Sequence, residues 1–302
     1  MASKNKYIGC FLGLAIGDAF GAPFEGGFIE RLLWKVIGKT KDGKQRYTDD
    51  TQMSIDLANS FIKNNDINQE HLSKTFASSY KWSRGYGPSA GKILKKIKNG
   101  SSWREVNRLK YKEGSLGNGA AMRAPILALC YPDNFSSLQK NVIKASEITH
   151  AHPLAIEGAQ LIAFVTYSML NGVPIKSILE TLPHHCHSAL YQSKVATCIT
   201  FIESTNKIQS KDIKRKLGNG IIATESCVTA IYFSLKYIES ALDVMLDKIF
   251  ELGGDTDTIG AMAGGIWGAW NGCDKMSNKK LRIENYVKIL ALAKNLHDIV
   301  RK

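Results

Sequence analysis

Two short strips carry carboxylates and hydroxyls at a density that invites chemistry: "TDDTQM", Thr48 to Met53, and "GGDTDTIGAM", Gly253 to Met262. Each precedes a segment whose apolar residues recur at helical spacing, so each falls in the first turn of a helix. Asp and Thr there satisfy free N–H groups and complement the helix dipole, and for either strip alone capping is a sufficient account. Together, however, they offer Asp49, Asp50, Asp255 and Asp257 with neighbouring hydroxyls, where a cap needs one side chain. Carboxylates gathered in an apolar interior repel one another unless cations neutralise them. All-oxygen donors suit hard ions such as Mg²⁺ or Mn²⁺ rather than Zn²⁺. A pair of such ions ~3.5–4 Å apart is a template for hydrolysis.

A third stretch, "GSLGNGAAMR" (Gly114 to Arg123), frees the backbone at Gly114, Gly117 and Gly119 for positive φ and leads into a helix whose N–H groups can face a phosphate. It lacks the GK[ST] of a P-loop and no strand precedes it. Ser115 and Asn118 are candidate hydrogen-bond partners for a diphosphate, and Arg123 reads as a structural ion-pair former. "HHCH", His184 to His187, lacks zinc-ligand spacing and reads as a polar loop.

The elements that must hold these strips are helical. Ile8, Leu12, Ala15, Ile16 and Ala19 form one stripe; Met53, Leu57, Ala58, Phe61 and Ile62 a second; Leu154 to Met169 a third; Val228 to Ile238 a fourth; Ile259 to Trp270 the strongest. Period-2 alternation is almost absent, so the expected fold class is all-α. Gly9, Gly13, Gly17 and Gly21 recur every four residues, and Gly264, Gly265 and Gly268 interrupt the last stripe. Each costs a helix roughly 1 kcal/mol against Ala, which implies helices meeting backbone to backbone. With no linker and no repeat, one domain over residues 1–302 is expected.

The 302 residues are 44% hydrophobic and 22% charged, a globular rather than a disordered composition. Six scattered cysteines without a C-x-x-C pair, and no secretory h-region, read as reduced thiols in a cytoplasmic protein. The longest unbroken apolar runs fall short of the ~20 residues of a bilayer span, so no membrane segment is expected. The net charge of +13 gathers in Lys92 to Lys112 and Lys207 to Lys216. No nucleic-acid-binding motif accompanies it, and these runs read as solvated faces. No unexplained apolar stripe remains, so a monomer is expected.

Five stretches, "GCFLGLAIGDAFGAPFE" (Gly9 to Glu25), "YTDDTQM" (Tyr47 to Met53), "GSLGNGAAMRAP" (Gly114 to Pro125), "THAHPLAIEGA" (Thr149 to Ala159) and "LGGDTDTIGAMAGGIWGAWNG" (Leu252 to Gly272), together resemble the ordered motif set of the ADP-ribosylglycohydrolase family. The resemblance implies a compact, orthogonal multi-helix domain with a central binuclear Mg²⁺ or Mn²⁺ site, which removes ADP-ribose from arginine- or serine-modified protein. It also implies that Thr48, Asp49 and Asp50 form one half of the ligand set and Asp255, Asp257 and Thr258 the other. Glu25 matches an acidic residue that reaches metal or water, which places Glu25, Asp49, Asp50 and Asp257 at the catalytic centre. Gly85, Tyr86 and Gly87 resemble, with Gly114, Ser115, Leu116, Gly117, Asn118 and Gly119, the loops that hold diphosphate and adenosine. His150 resembles a ligand-facing histidine. Leu116 stands where some members carry an aromatic, and Tyr111 is the alternative stacking residue. An ADP-ribose-binding module, or a hydrolase of a small ADP-ribosyl conjugate or of ADP-ribosylated nucleic acid, is the alternative reading.

Overall fold

A computed structural model describes the backbone of residues 2–301 and the side chains of all of these except residues 28–30, 35, 279 and 280. Among the described residues sixteen α-helices follow one another without a strand. They are α1 Lys4–Gly21, α2 Phe28–Ile37, α3 Asp49–Asn64, α4 Gln69–Ser79, α5 Pro88–Lys98, α6 Trp103–Val106, α7 Ala124–Cys130 and α8 Phe135–Glu147. The second half holds α9 Pro153–Leu170, α10 Ile175–Thr181, α11 Ala189–Glu203, α12 Ser210–Lys216, α13 Ala223–Lys236, α14 Leu242–Leu252, α15 Thr256–Asn271 and α16 Tyr286–Val300. Every stripe expected from periodicity is a helix, and the all-α class holds.

The axis of the fold is the pairing of α1 with α15. Gly9 meets Gly268, Gly13 meets Gly264, Gly17 meets Gly260, and Gly21 meets Thr256 and Asp257, an antiparallel register. A Cβ at any of these four α1 positions would overlap main-chain atoms of the α15 segment, so the i, i+4 glycines are what let the two backbones touch. Both helices are apolar nearly all round, because α9, α13 and α7 also pack on α15, and α16, α3 and α7 on α1. A helix buried on all faces needs no polar side.

By length and composition, Lys4–Phe24 and Pro153–Leu170 are long and apolar enough to cross a membrane, which counting unbroken apolar runs did not reveal. Within the fold, 83% and 72% of those windows are buried, so packing against other helices accounts for their apolar character. All six cysteines are free thiols. Trp267 is fully buried and donates from its indole Nε1 to Ser240 O at 3.0 Å, a core residue as its stripe suggested.

Candidate functional site

The close α1–α15 pairing brings the C-terminal end of α1 against the N-terminal end of α15. Thr256 Oγ1 donates to Gly21 O at 2.9 Å, locking the two ends together. From the last turn of α1, the buried Asp18 reaches across to α3. Its carboxylate accepts from Thr48 N at 2.9 Å, from Thr51 N at 2.9 Å and from Thr51 Oγ1 at 2.5 Å. Thr48 caps α3 from within, its Oγ1 accepting from Asp50 N at 3.3 Å. Asp18 therefore satisfies further N–H groups of the α3 terminus from outside the helix. After α1, a single 3-10 turn, Ala22–Phe24, carries Glu25 to the site. That turn is held by the Phe24 ring, stacked on Phe250 of α14 at 5.0 Å.

Three helix ends thus converge, and with them the carboxylates. Asp18, Asp50 and Asp257 each offer an oxygen, all within 4.8 Å of one another; Glu25, Asp255 and Asp257 form a second such group. Asp257 belongs to both. Thr258 Oγ1 lies 3.5 Å from Asp50 Oδ2, joining the two acidic strips across 208 residues. Asp49 faces the same cavity but lies outside either group. Asp255 occupies the N-cap of α15 without making a side-chain cap. Its carboxylate instead accepts from Asn118 Nδ2, which lies 3.0 Å from Ser226 Oγ.

Burial and mutual repulsion raise these groups. Burial first, then the charge of Asp18, holds the Asp49 and Asp50 carboxyls well above the usual carboxylate range. For Asp257, burial is followed by Glu25, Asp255 and Asp50. Asp18 and Asp255 are also raised by burial, against the pull of their hydrogen bonds. Such crowding is costly without a cation. Among the described residues, Asp50 Oδ1 is buried and has no hydrogen-bond partner, an uncommon state for a carboxylate oxygen in a chain that satisfies the other one. An orphaned oxygen among all-oxygen donors fits a hard divalent ion.

Above the carboxylates opens a cavity of about 970 Å³. Its walls include Glu25, Asp49, Asp50, Asp255, Asp257 and Thr258, both expected loops at Gly85, Gly87 and Gly114 to Gly119, and His150. Thr48 and Tyr86 are not among them. The Thr48 hydroxyl is turned to Asp50, and the Tyr86 ring packs against Tyr80 at 4.9 Å. Gly85 takes φ +82°, and Gly87 ends this loop at the uncapped start of α5. Lys110, Tyr111, Lys112, His152, Ile221 and Ile222 also line the cavity. The lysines were legible only as part of a charge run.

In the glycine loop only Gly114 takes a positive φ, +93°. Gly119 is required for another reason: a Cβ there would overlap the imidazole of His150. The loop is pinned to the segment before α13 by Asn118 N donating to Ile221 O at 3.0 Å and Ala223 N to Leu116 O at 2.9 Å. Arg123, fully buried, forms no carboxylate pair among the described contacts. It donates to Gly119 O, to Ala145 O at 2.9 Å and to Thr149 Oγ1 at 3.0 Å, and so props the loop from below. Thr149 Oγ1 also lies 2.8 Å from His150 Nδ1. Burial, then the Arg123 charge, pushes the His150 pKa down to about 3, so the ring is neutral at pH 7. Sequence reasoning missed Asp18 altogether.

A family model described as ADP-ribosylglycohydrolase matches residues 1–302. ADP-ribosylhydrolase ARH3 of Xenopus tropicalis is 30% identical over 338 residues, covering 99% of this chain and 96% of the relative. The human ADP-ribosylhydrolase ARH3 is 30% identical over 347 residues, covering 99% and 95%. The ADP-ribosyl-[dinitrogen reductase] glycohydrolase of Rhodospirillum rubrum is 26% identical over 309 residues, covering 96% and 97%. A solved structure titled ADP-ribosylglycohydrolase-related protein complex shares the fold, with a TM-score of 0.72 at 22% identity and 98% of each chain covered.

Proposed function

This chain belongs to the ADP-ribosylglycohydrolase family and is a glycohydrolase, and from that premise we propose that it is a divalent-metal-dependent hydrolase of ADP-ribosylated protein, acting on an arginine or serine linkage. The observation that carries the metal dependence is the pair of carboxylate groups sharing Asp257, with Asp50 Oδ1 left unpartnered among the described residues. Asp18, Asp50 and Asp257 would hold one Mg²⁺ or Mn²⁺, and Glu25, Asp255 and Asp257 a second, with Thr48, Asp49 and Thr258 beside them. Bound there, such ions supply Lewis-acid fixation of ribose hydroxyls and lower the pKa of a water.

The chain's own groups do the rest. Glycosidic cleavage develops positive charge on the ribose ring. A carboxylate at the anomeric carbon takes the proton of the attacking water; Glu25 and Asp49, both in the cavity wall, are the candidates for this base. The Gly85–Gly87 and Gly114–Gly119 loops offer backbone N–H groups to the diphosphate. Neutral His150 adds a hydrogen-bonding group without charge.

The test is release of ADP-ribose, read by mass spectrometry, from matched arginine- and serine-modified peptides with Mg²⁺, Mn²⁺ or EDTA, beside the Asp257→Asn chain. Metal-dependent release from one peptide, absent in the variant, names the linkage. Release undiminished in EDTA would overturn the metal dependence, and ADP-ribose binding without release from either peptide would overturn the arginine or serine linkage and leave a hydrolase of another ADP-ribosyl conjugate.

A further inference from the structure

Glu284 lies in the C-terminal segment, 200 residues from the loop it grips, and is buried with Arg84 and Tyr47. Its Oε1 accepts from Tyr47 N at 3.0 Å and from Arg84 Nη1, and its Oε2 accepts from Arg84 Nη2 at 3.2 Å. Arg84 Nη1 also donates to Tyr47 O at 2.5 Å, and the guanidinium lies 4.1 Å over the Tyr47 ring. One residue on, Asn285 Nδ2 donates to Tyr47 Oη at 3.0 Å. The backbone is joined as well: Gln45 N donates to Arg282 O at 2.7 Å, and Glu284 N to Gln45 O at 2.8 Å.

Both segments held by this carboxylate run directly into the site. Tyr47 is followed by Thr48, Asp49 and Asp50; Arg84 is followed by Gly85, whose missing side chain would stand 3.8 Å from Asp49 Oδ1 and Thr48 Cβ. Tyr47 has both backbone polar groups satisfied by the Arg84–Glu284 pair rather than by the helix that follows, so the pair sets where the acidic strip begins. A buried ion pair is weak evidence for stability, and its better-attested use is to fix register.

We infer that Glu284 is a positioning residue of the cation site: through Arg84 and Tyr47 it fixes the place of Thr48–Asp50 against Asp255–Thr258, without touching the reacting atoms. This rests on the reading of the two acidic strips as a divalent-cation site. Groups that orient ligands from behind typically change metal affinity about 10- to 100-fold when altered.

The measurement is Mn²⁺ binding to the metal-free full chain, by electron paramagnetic resonance or calorimetry, for wild type, Glu284→Gln and Glu157→Gln. Glu157 is a matched control: it too is a buried carboxylate accepting two backbone N–H groups, from His187 at 2.7 Å and Ser188 at 2.9 Å, but outside the cavity. The expected result is a Kd for Mn²⁺ raised about 10- to 100-fold in Glu284→Gln and unchanged in Glu157→Gln. The Mn²⁺ concentration for half-maximal ADP-ribose release should shift with it. Should Glu284→Gln fail to fold, Glu284→Asp keeps the charge while shortening the reach, and the same shift is expected. An unchanged Kd in a folded Glu284 variant, or an equal loss in Glu157→Gln, overturns the inference alone. A wild-type chain that binds no Mn²⁺ overturns the cation site and this inference with it.

Discussion

Gly17 of α1 lies against the carbonyl of Gly260 in α15 so closely that neither position has room for a Cβ. In an isolated helix, replacing Gly by Ala would stabilise by roughly 1 kcal/mol, so this contact reverses the usual sign. Gly17→Ala should destabilise the chain by about 1–3 kcal/mol, the typical cost of overpacking, and more if the main chains cannot part. Because the same pairing places Asp18 beside Asp257, activity at a temperature where the variant is folded should fall as well. Thermal unfolding and ADP-ribose release on the same preparation check both; a higher Tm would refute the packing argument.

Asp18 carries the next prediction. With Thr48 N, Thr51 N and Thr51 Oγ1 all donating to it, Asp18→Asn would turn an amide NH₂ toward donors. The variant should lose Mn²⁺ binding and lower Tm, because the start of α3 loses its external acceptor and Asp50 loses its neighbour. Thr51→Val removes only the Oγ1 donor and should cost about 1 kcal/mol with metal binding retained. Equal effects from the two substitutions would show that Asp18 matters only as a cap.

The raised carboxyls fix a sign for pH dependence. In the metal-free chain Asp49, Asp50 and Asp257 hold protons above the ordinary carboxylate value of 3.8, where the unfolded chain has released them. Their contribution to stability is fully present below that value and is lost as pH rises through their folded-state values. His150 acts oppositely: with its pKa pushed down to about 3, it contributes stability above 6.5 that is lost as pH falls. The gain in Tm from saturating Mn²⁺ should therefore grow as pH rises, since the ligands must shed their protons to bind. A gain in Tm from Mn²⁺ that shrank as pH rose would contradict the crowding of the cluster.

What the sequence revealed follows from how local each signal is. Thr48–Asp50 and Asp255–Thr258 were legible because their residue types contradict the apolar helices they open, and the α1 glycines because an i, i+4 spacing is visible without a partner. Asp18 was illegible: it sits inside "AIGDAF", an apolar stripe, and acquires meaning only when α3 arrives. Glu284 is the same case at a separation of 200 residues from Arg84. The glycine loop is legible as a loop, whereas the reason for most of its glycines is not. Gly119 is small because His150 occupies its side-chain space, which is a tertiary fact, and only Gly114 has the backbone angle that composition suggested.

Adenine recognition is the remaining difference between this chain and the aromatic pattern its glycine loop lacks. Leu116 lines the cavity, but its carbonyl is committed to Ala223 N at 2.9 Å, so its place is fixed by the pinned loop. Tyr111, also in the wall, is 46% exposed, with the Lys110 ammonium 5.1 Å from its ring. An exposed aromatic beside a cation offers a stacking face for a base and a charge for a phosphate. Tyr111→Ala should weaken ADP-ribose binding by about 1–3 kcal/mol, the range for base stacking, whereas Leu116→Ala should cost less. Calorimetry with ADP-ribose on the two variants decides it. If Leu116→Ala proved the more damaging, the base would have to lie over the glycine loop, and Tyr111 would be a surface residue that happens to border the cavity.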